Sequence, residues 1–294
     1  KRFEKASIIV SIYDNIEFLE AVLNSLKSQT VQDFEVIISE DAAHASVKQF
    51  LENYKYEGEI SHLSHPDVGW TKNIALNKAI RHAKYDYLIL IDGDCVLHSR
   101  FVEFHMKNAE EEKILAGKRI KLDLETSLAV LSGELQVKDL NSYILKNFFS
   151  LKPRGAKFVE EGVFVGDRLL WGWIPRMRKM RQLKGCNMSF SKKAIYAING
   201  FDEDYNKPAI GEDIDLTWRF IKAGYSLKSM RNLAVQYHLY HKENWNDQAE
   251  NQQQMERNIK SNTWYCINGI NKSQNEDRRT SSSCQDLWRG QTFS

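Results

Sequence analysis

Short apolar runs and longer stretches with apolar residues every three or four positions take turns along the first ninety residues. The runs 7–13 (SIIVSIY), 34–39 (FEVIIS), 60–63 and 88–91 (LILI) have the length and β-branched content of buried strands. Between them, 17–28 (EFLEAVLNSLKS), 46–54 and 71–83 carry helical spacing. This alternation predicts βαβ units joined by right-handed crossovers around a mostly parallel sheet with helices on both faces. Three strands end in polar residues: Tyr13-Asp14-Asn15, Glu40-Asp41 and Asp92-Gly93-Asp94. Such ends should share one rim, the place where open α/β sheets bind ligands.

Beyond residue 101 the pattern loosens. Residues 114–120 predict one strand and 127–149 a largely helical stretch. A second organised block opens at Gly185 with GCNMSFSKKAIYAINGFDEDY, runs through GEDIDLTWRFIKAGY and a strand or loop at 232–237, and closes on YHLYHK. The Gln- and Asn-rich stretch 246–271, with Met255, Ile259 and Trp264, reads as a polar helix. From 272 the composition is charged and Ser-rich, so a disordered tail is expected.

The remaining composition narrows the class. A chain of 294 residues can bury a sizeable core, and a net charge of +2 gives no case for nucleic-acid binding. No apolar run approaches the roughly 18 residues of a membrane span, and the first residues enter a strand pattern directly. The expectation is a cytoplasmic protein, with peripheral attachment to the inner face of the membrane left open. Four scattered cysteines without C-x-x-C spacing suggest reduced thiols. Charge is uneven locally: RLLWGWIPRMRKMRQLK interleaves Arg176, Arg178, Lys179 and Arg181 with Trp171, Trp173 and Met177, a composition suited to an anionic membrane surface.

Chemistry concentrates in two acidic blocks. Asp92 and Asp94, at the tip of an apolar strand, would suit Mg²⁺ or Mn²⁺ completed by substrate phosphates, although Asp-Gly-Asp is also an ordinary turn. The second block, Gly211-Glu212-Asp213-Ile214-Asp215, precedes a helical pattern, and Asp215 alone would read as a helix N-terminal charge. Two histidines follow in YHLYHK. No glutamate stands between them as in H-E-x-x-H, so a metalloprotease site is not indicated.

Taken in order, SIIVSIYDN, DFEVIISEDA, VGWTKNIALNKAI, IDGD, GCNMSFSKKAIYAINGFDE, GEDIDLTWRF and YHLYHK resemble family 2 glycosyltransferases of the GT-A fold. The second block is similar to the galactosyltransferase-type C-terminal region found in many of them. The resemblance implies an α/β fold with a mixed, mostly parallel central sheet flanked by helices. It implies a nucleotide-sugar-binding half at 1–125, a helical and basic insertion at 126–184, an acceptor-binding and catalytic half at 185–245, and then the C-terminal helix and tail.

By the same resemblance, Ser11, Tyr13 and Asp41 would hold the uracil and ribose of a UDP-sugar. Lys72, Asn73, Asp92 and Gly93 would lie toward the diphosphate and ribose. Asp94 would ligate Mn²⁺ or Mg²⁺, with Asp92 helping and His238 closing the site; His241 competes for that role or contacts the acceptor. Asp213 would be the catalytic base and Glu212 would orient acceptor hydroxyls. Trp171 and Trp173 could stack an acceptor sugar or simply pack. The expected activity is inverting transfer of a hexose or N-acetylhexosamine to a glycan or lipid-linked acceptor in surface polysaccharide synthesis. The rivals are a retaining GT-A enzyme and an inactive glycan- or UDP-binding module. The segment before the second acidic block, Asn206-Lys207-Pro208-Ala209-Ile210, departs from the aromatic-Gly-rich pattern of galactosyltransferases and leaves sugar preference open.

Overall fold

The computed structural model describes residues 3–166, 171–242 and 247–272. The expected disordered tail lies, apart from Lys272, outside the described residues. The first half folds as the alternation predicts: β1 (Ala6–Ile12), α1 (Ile16–Lys27), β2 (Phe34–Glu40), α2 (Ala45–Asn53), β3 (Glu59–Leu63), α3 (Lys72–His82) and β4 (Tyr87–Asp92). Then come β5 (Cys95–Leu97), α4 (Phe101–Asn108), β6 (Lys113–Ala116), β7 (Arg119–Lys121) and the helices α5 (Leu124–Leu131), α6 (Leu140–Lys146), α7 (Phe148–Leu151) and α8 (Trp173–Met177). The second block supplies β8 (Asn187–Ser191), α9 (Lys192–Ala197), α10 (Asp215–Lys222), β9 (Ser226–Ser229) and β10 (Gln236–His238), and α11 (Ala249–Lys260) follows.

Seven strands form the main sheet in the order β3-β2-β1-β4-β8-β6-β9. Only β8 runs against the rest, pairing antiparallel with both β4 and β6. Alternate residues of each central strand feed opposite cores. Ile8, Val10, Ile89 and Ile91 pack with Leu19, Val22, Leu23 and Leu26 of α1, while Ile9, Leu88 and Leu90 pack with Leu76 and Ile80 of α3 and with Phe190, Leu216 and Phe220. Helix starts follow local chemistry: Asn15 accepts the Phe18 N–H, Asp123 the Thr126 N–H and Ser191 the Ala194 N–H, each relieving an orphan donor.

A three-stranded sheet, β5-β10-β7, stands apart. The single strand expected at 114–120 is therefore two: β6 joins the large sheet and β7 the small one. The break falls at Gly117, where a Cβ would come within 2.3 Å of the Asn187 amide. Asn187 pins the junction, its Nδ2 donating to the carbonyls of Lys118 and Ala234 and its Oδ1 lying 3.1 Å from buried His105.

Candidate functional site

Strand register puts the polar ends side by side. Ser11 pairs with Ser39 on one side and Asp92 on the other; the Asp41 N–H donates to the Ile12 carbonyl and the Gly93 N–H to that of Ser11. Gly93 must be small, since a Cβ there would meet Ile12 Cγ2 at 2.4 Å. These ends open onto a cavity of about 680 Å³ lined by Ser11, Tyr13, Asp41, Lys72, Asp94 and His241, among others.

Asp41, only 7% exposed, accepts from the Thr71 N–H at 3.0 Å and the Thr71 hydroxyl at 2.6 Å, with His65 Nε2 3.2 Å away. Its neighbour Glu40 takes the His44 N–H at the start of α2. Tyr13 lies half exposed, its hydroxyl donating to Asp67 at 2.8 Å, a bond that raises the phenol's pKa. Lys72 opens α3 and reaches Asp92 at 3.0 Å and Glu212 at 2.5 Å. Burial opposes the Lys72 charge, but the two carboxylates outweigh it and raise its pKa. Asn73 turns the other way: it is buried, donates to the Asp202 carbonyl at 2.7 Å and lines neither this cavity nor the next. Its helical position, one residue past Lys72, points it at the second block and away from the rim.

The small sheet brings distant residues onto Asp94. Cys95 pairs with His238 across β5 and β10, and the Leu239 N–H donates to the Asp94 carbonyl. His238 Nε2 and His241 Nε2 come within 3.2 and 3.1 Å of Asp94 Oδ2, and 3.2 Å of each other. The three ligand atoms lie within 4.8 Å of one another, a spacing a metal ion can bridge. Burial works against the Asp94 charge, yet the two histidines and Arg119 hold the carboxyl well below its usual range. Pairing with Asp94 raises the His241 pKa. His238 is buried and His241 half exposed, so both histidines named as rivals stand at the same carboxylate.

Glu212 and Asp213 lie in a π-helical turn, Ile210–Ile214, that leads into α10. The turn begins at Ala209, whose φ of +84° is a strained value for a residue with a Cβ. Gly211 packs on the Tyr205 ring, which leaves no room for a side chain. Asp215 is no solvated helix charge: fully buried, it pairs with Arg219 Nε at 2.6 Å and accepts from the Tyr205 hydroxyl. Arg219 also donates to the Ile198 and Gly200 carbonyls, bracing the block from behind. Burial raises the Glu212 pKa, against the pull of Lys72. Asp213 accepts from Lys184 at 3.0 Å and from the Gly185 N–H at 2.6 Å. Both acids face a second cavity of about 490 Å³, and Lys72 and Asp92 belong to the walls of both cavities.

Trp171 and Trp173 are exposed and line neither cavity. Arg178, expected on the basic face, turns inward to Glu161 at 3.0 Å and Asn232 at 2.5 Å. No helix among the described residues is long and apolar enough to cross a membrane. Sequence reading missed Arg119, which holds Asp92 Oδ2 at 3.0 Å, and Thr71 and Lys184. Nothing in local spacing marks Arg119; Thr71 lies within the motif VGWTKNIALNKAI, and Lys184 adjoins the second block.

A family model described as glycosyl transferase family 2 matches residues 7–158, just over half of the chain, and one described as the N-terminal domain of galactosyltransferase matches 175–242. A chondroitin synthase of Escherichia coli is 26% identical over 240 residues, covering 79% of this chain and 34% of that protein. A hyaluronan synthase of Pasteurella multocida is 25% identical over 267 residues, covering 86% of this chain and 26% of that protein. The chain thus spans about a third or less of these two relatives. Among solved structures, a mannosyltransferase from Pyrobaculum calidifontis in complex with GDP-Man and Mn²⁺ shares the fold at a TM-score of 0.52 and 14% identity, covering 83% of this chain and 59% of that one.

Proposed function

Because the chain belongs to glycosyl transferase family 2, we propose that it transfers a hexose or N-acetylhexosamine, with inversion, from a UDP-sugar to a glycan or lipid-linked acceptor in surface polysaccharide synthesis. The relatives named chondroitin synthase and hyaluronan synthase support the polysaccharide part. The observation that carries the reading is a pair of adjoining cavities: Asp94 and His241 line one, Glu212 and Asp213 the other, and Lys72 and Asp92 belong to both.

In this reading the first cavity takes the donor. Ser11 and Tyr13 flank the uracil, Asp41 accepts from it or from ribose, and Gly93 lets the diphosphate approach the main chain. Asp94, His238 and His241 suit a divalent ion. A set with two imidazoles fits Mn²⁺ better than Mg²⁺, which prefers all-oxygen shells and water. When bound, such an ion supplies positive charge opposite the departing diphosphate. Lys72 adds a fixed cation beside Asp92. In the second cavity Asp213 takes the acceptor hydroxyl proton as the new bond forms at the anomeric carbon. The bond to the diphosphate oxygen breaks, and its electron pair leaves with UDP. Lys184 yields its place on Asp213 to that hydroxyl, while Glu212, anchored by Lys72, orients the acceptor. Exposed Trp171, Trp173 and Met177 would meet the acceptor or an anionic membrane surface.

The test is UDP release from a panel of UDP-sugars with Mn²⁺, followed by proton coupling at the product's anomeric carbon. Release together with an inverted product supports the reading. No release from any UDP-sugar overturns the donor assignment, and a retained configuration overturns inversion.

A further inference from the structure

Asp92 is held from two sides by residues far apart in sequence. Lys72 Nζ lies 3.0 Å from its Oδ1, and Arg119 Nη1 lies 3.0 Å from its Oδ2. With each oxygen on a different cation, the carboxylate cannot turn about its own bond without losing one of them. Lys72 continues to Glu212, so Arg119, Asp92, Lys72 and Glu212 form a row of alternating charge. Arg119 and Glu212 line the second cavity and not the first, while Asp92 and Lys72 line both, so the row runs along the shared wall. The two cations differ in kind. A lysine is a point charge on a flexible stem, whereas the planar fork of an arginine fixes direction as well as distance.

Arg119 also stands on a firm base. It opens β7, where it pairs with Gln236 of β10, two residues before His238. Gln236 and His238 share a face of their strand, so one face of the small sheet turns Arg119 toward Asp92 and His238 toward Asp94. The segment around Arg119 is pinned on both sides. The Lys118 carbonyl accepts from Asn187, and Lys121 and Lys157 exchange main-chain hydrogen bonds. The Phe158 ring, on a residue held at φ +58°, stands 6.0 Å from Lys118 Nζ. Arg119 itself is 25% exposed, with Nη1 3.7 Å from the buried Cys95 Sγ.

We infer that Arg119 is a positioning residue: it sets the direction of the Asp92 carboxylate and, through Asp92 and Lys72, the place of the donor relative to Glu212 and the acceptor. The inference rests on the glycosyltransferase reading and adds a residue to it. Arg119 needs no contact with an ion, because Asp94, His238 and His241 form their cluster without it. A misplacement of about 1 Å among reacting groups costs about 10²-fold in rate. Loss of Arg119 therefore falls on turnover and spares ion binding.

The experiment is a double-mutant cycle in the full chain, with Mn²⁺ and the UDP-sugar that shows release. Arg119→Met should lower kcat by about 10²-fold and leave Mn²⁺ affinity, read from the electron paramagnetic resonance of free Mn²⁺, within about threefold. Because Arg119 acts through Asp92, adding Arg119→Met to Asp92→Asn should cost no more than Asp92→Asn alone. Arg119→Lys keeps the charge without the fork and should recover part of the loss. Melting curves exclude misfolding, and if Arg119→Met does not fold, the cycle runs with Arg119→Lys. Multiplying losses in the double variant, full recovery by Arg119→Lys, or a lower melting temperature with kcat unchanged overturns the inference while UDP release still stands. So does a loss of Mn²⁺ binding equal to that of Asp94→Ala, which would put Arg119 on the ion cluster. Absence of UDP release by the unaltered protein removes the glycosyltransferase reading itself and the inference with it.

Discussion

The two cavities share a wall and differ in how they are made. The first is a product of the sheet: successive strand ends supply Ser11, Asp41 and Asp92, and the awkward main-chain positions belong to glycines, Gly69 at φ +100° and Gly93 against Ile12. The second is assembled from separate segments around residues 72, 92, 118–121, 158, 184–186 and 208–213, and its awkward positions are Phe158 and Ala209, which are not glycines. Non-glycine residues at such angles cost about 1–3 kcal/mol each, and neighbours must supply it. Apart from His241, which the small sheet brings in, the first cavity therefore follows from local pattern, whereas the second depends on the packing of the whole chain.

The comparison fails if both cavities serve one task, so substitutions on each side should have separable effects. Asp94→Ala should have the largest: loss of ion binding lowers turnover about 10³-fold or more and removes Mn²⁺ dependence from UDP binding measured by calorimetry. Asp213→Asn should lower kcat by about 10²–10³-fold while UDP affinity stays within about twofold. A matching loss of UDP affinity would erase the division.

A third measurement concerns the junction that holds the cavities together. Burial lowers the His105 pKa from 6.5 to about 4, and His98 shifts likewise to about 4. The unfolded chain thus binds protons that the folded chain refuses. Stability present above pH 6.5 should be lost as pH falls toward 4, by about 1–3 kcal/mol per histidine. His105→Gln should flatten part of that slope in denaturant titrations across pH. The smallest effect should come from Ala209→Gly, which relieves the strained turn and raises stability by about 1 kcal/mol, read as a higher melting temperature. A fall in stability would mean that Ala209 is not strained in solution.

The same contrast governs what the sequence reveals. The βαβ alternation, the rim of polar strand ends and the Asp92-Gly93-Asp94 tip are local patterns, and the fold realises them with boundaries moved by a residue or two. The split of 114–120 was not legible, because a short run such as ILAGKRI carries no record of which sheet each half joins; the break is marked by Asn187 against Gly117. The resemblance set Asn73 beside Lys72 toward the diphosphate, but helical rotation carries its amide to the Asp202 carbonyl. Arg119 and Phe158 were invisible for a related reason: their partners are distant in sequence. Arg178 looked like surface charge until Glu161 and Asn232 were in place. The family resemblance covered what spacing could not, suggesting a histidine beyond the second acidic block, while the approach of both His238 and His241 to Asp94 needed the small sheet.

That small sheet also sets a schedule for synthesis. Its middle strand, β10, is the last of its three to be made, so β5 and β7 both leave the ribosome without their partner. Asp94 precedes His241 by 147 residues, a delay of roughly 7–30 s at ordinary elongation rates. Through that interval the carboxylate waits at the mouth of the first cavity, whose other strand ends are already aligned. A nascent chain halted at the end of the family 2 match would carry the acids of the rim and neither histidine; the cluster of Asp94, His238 and His241 is assembled only after the final strand.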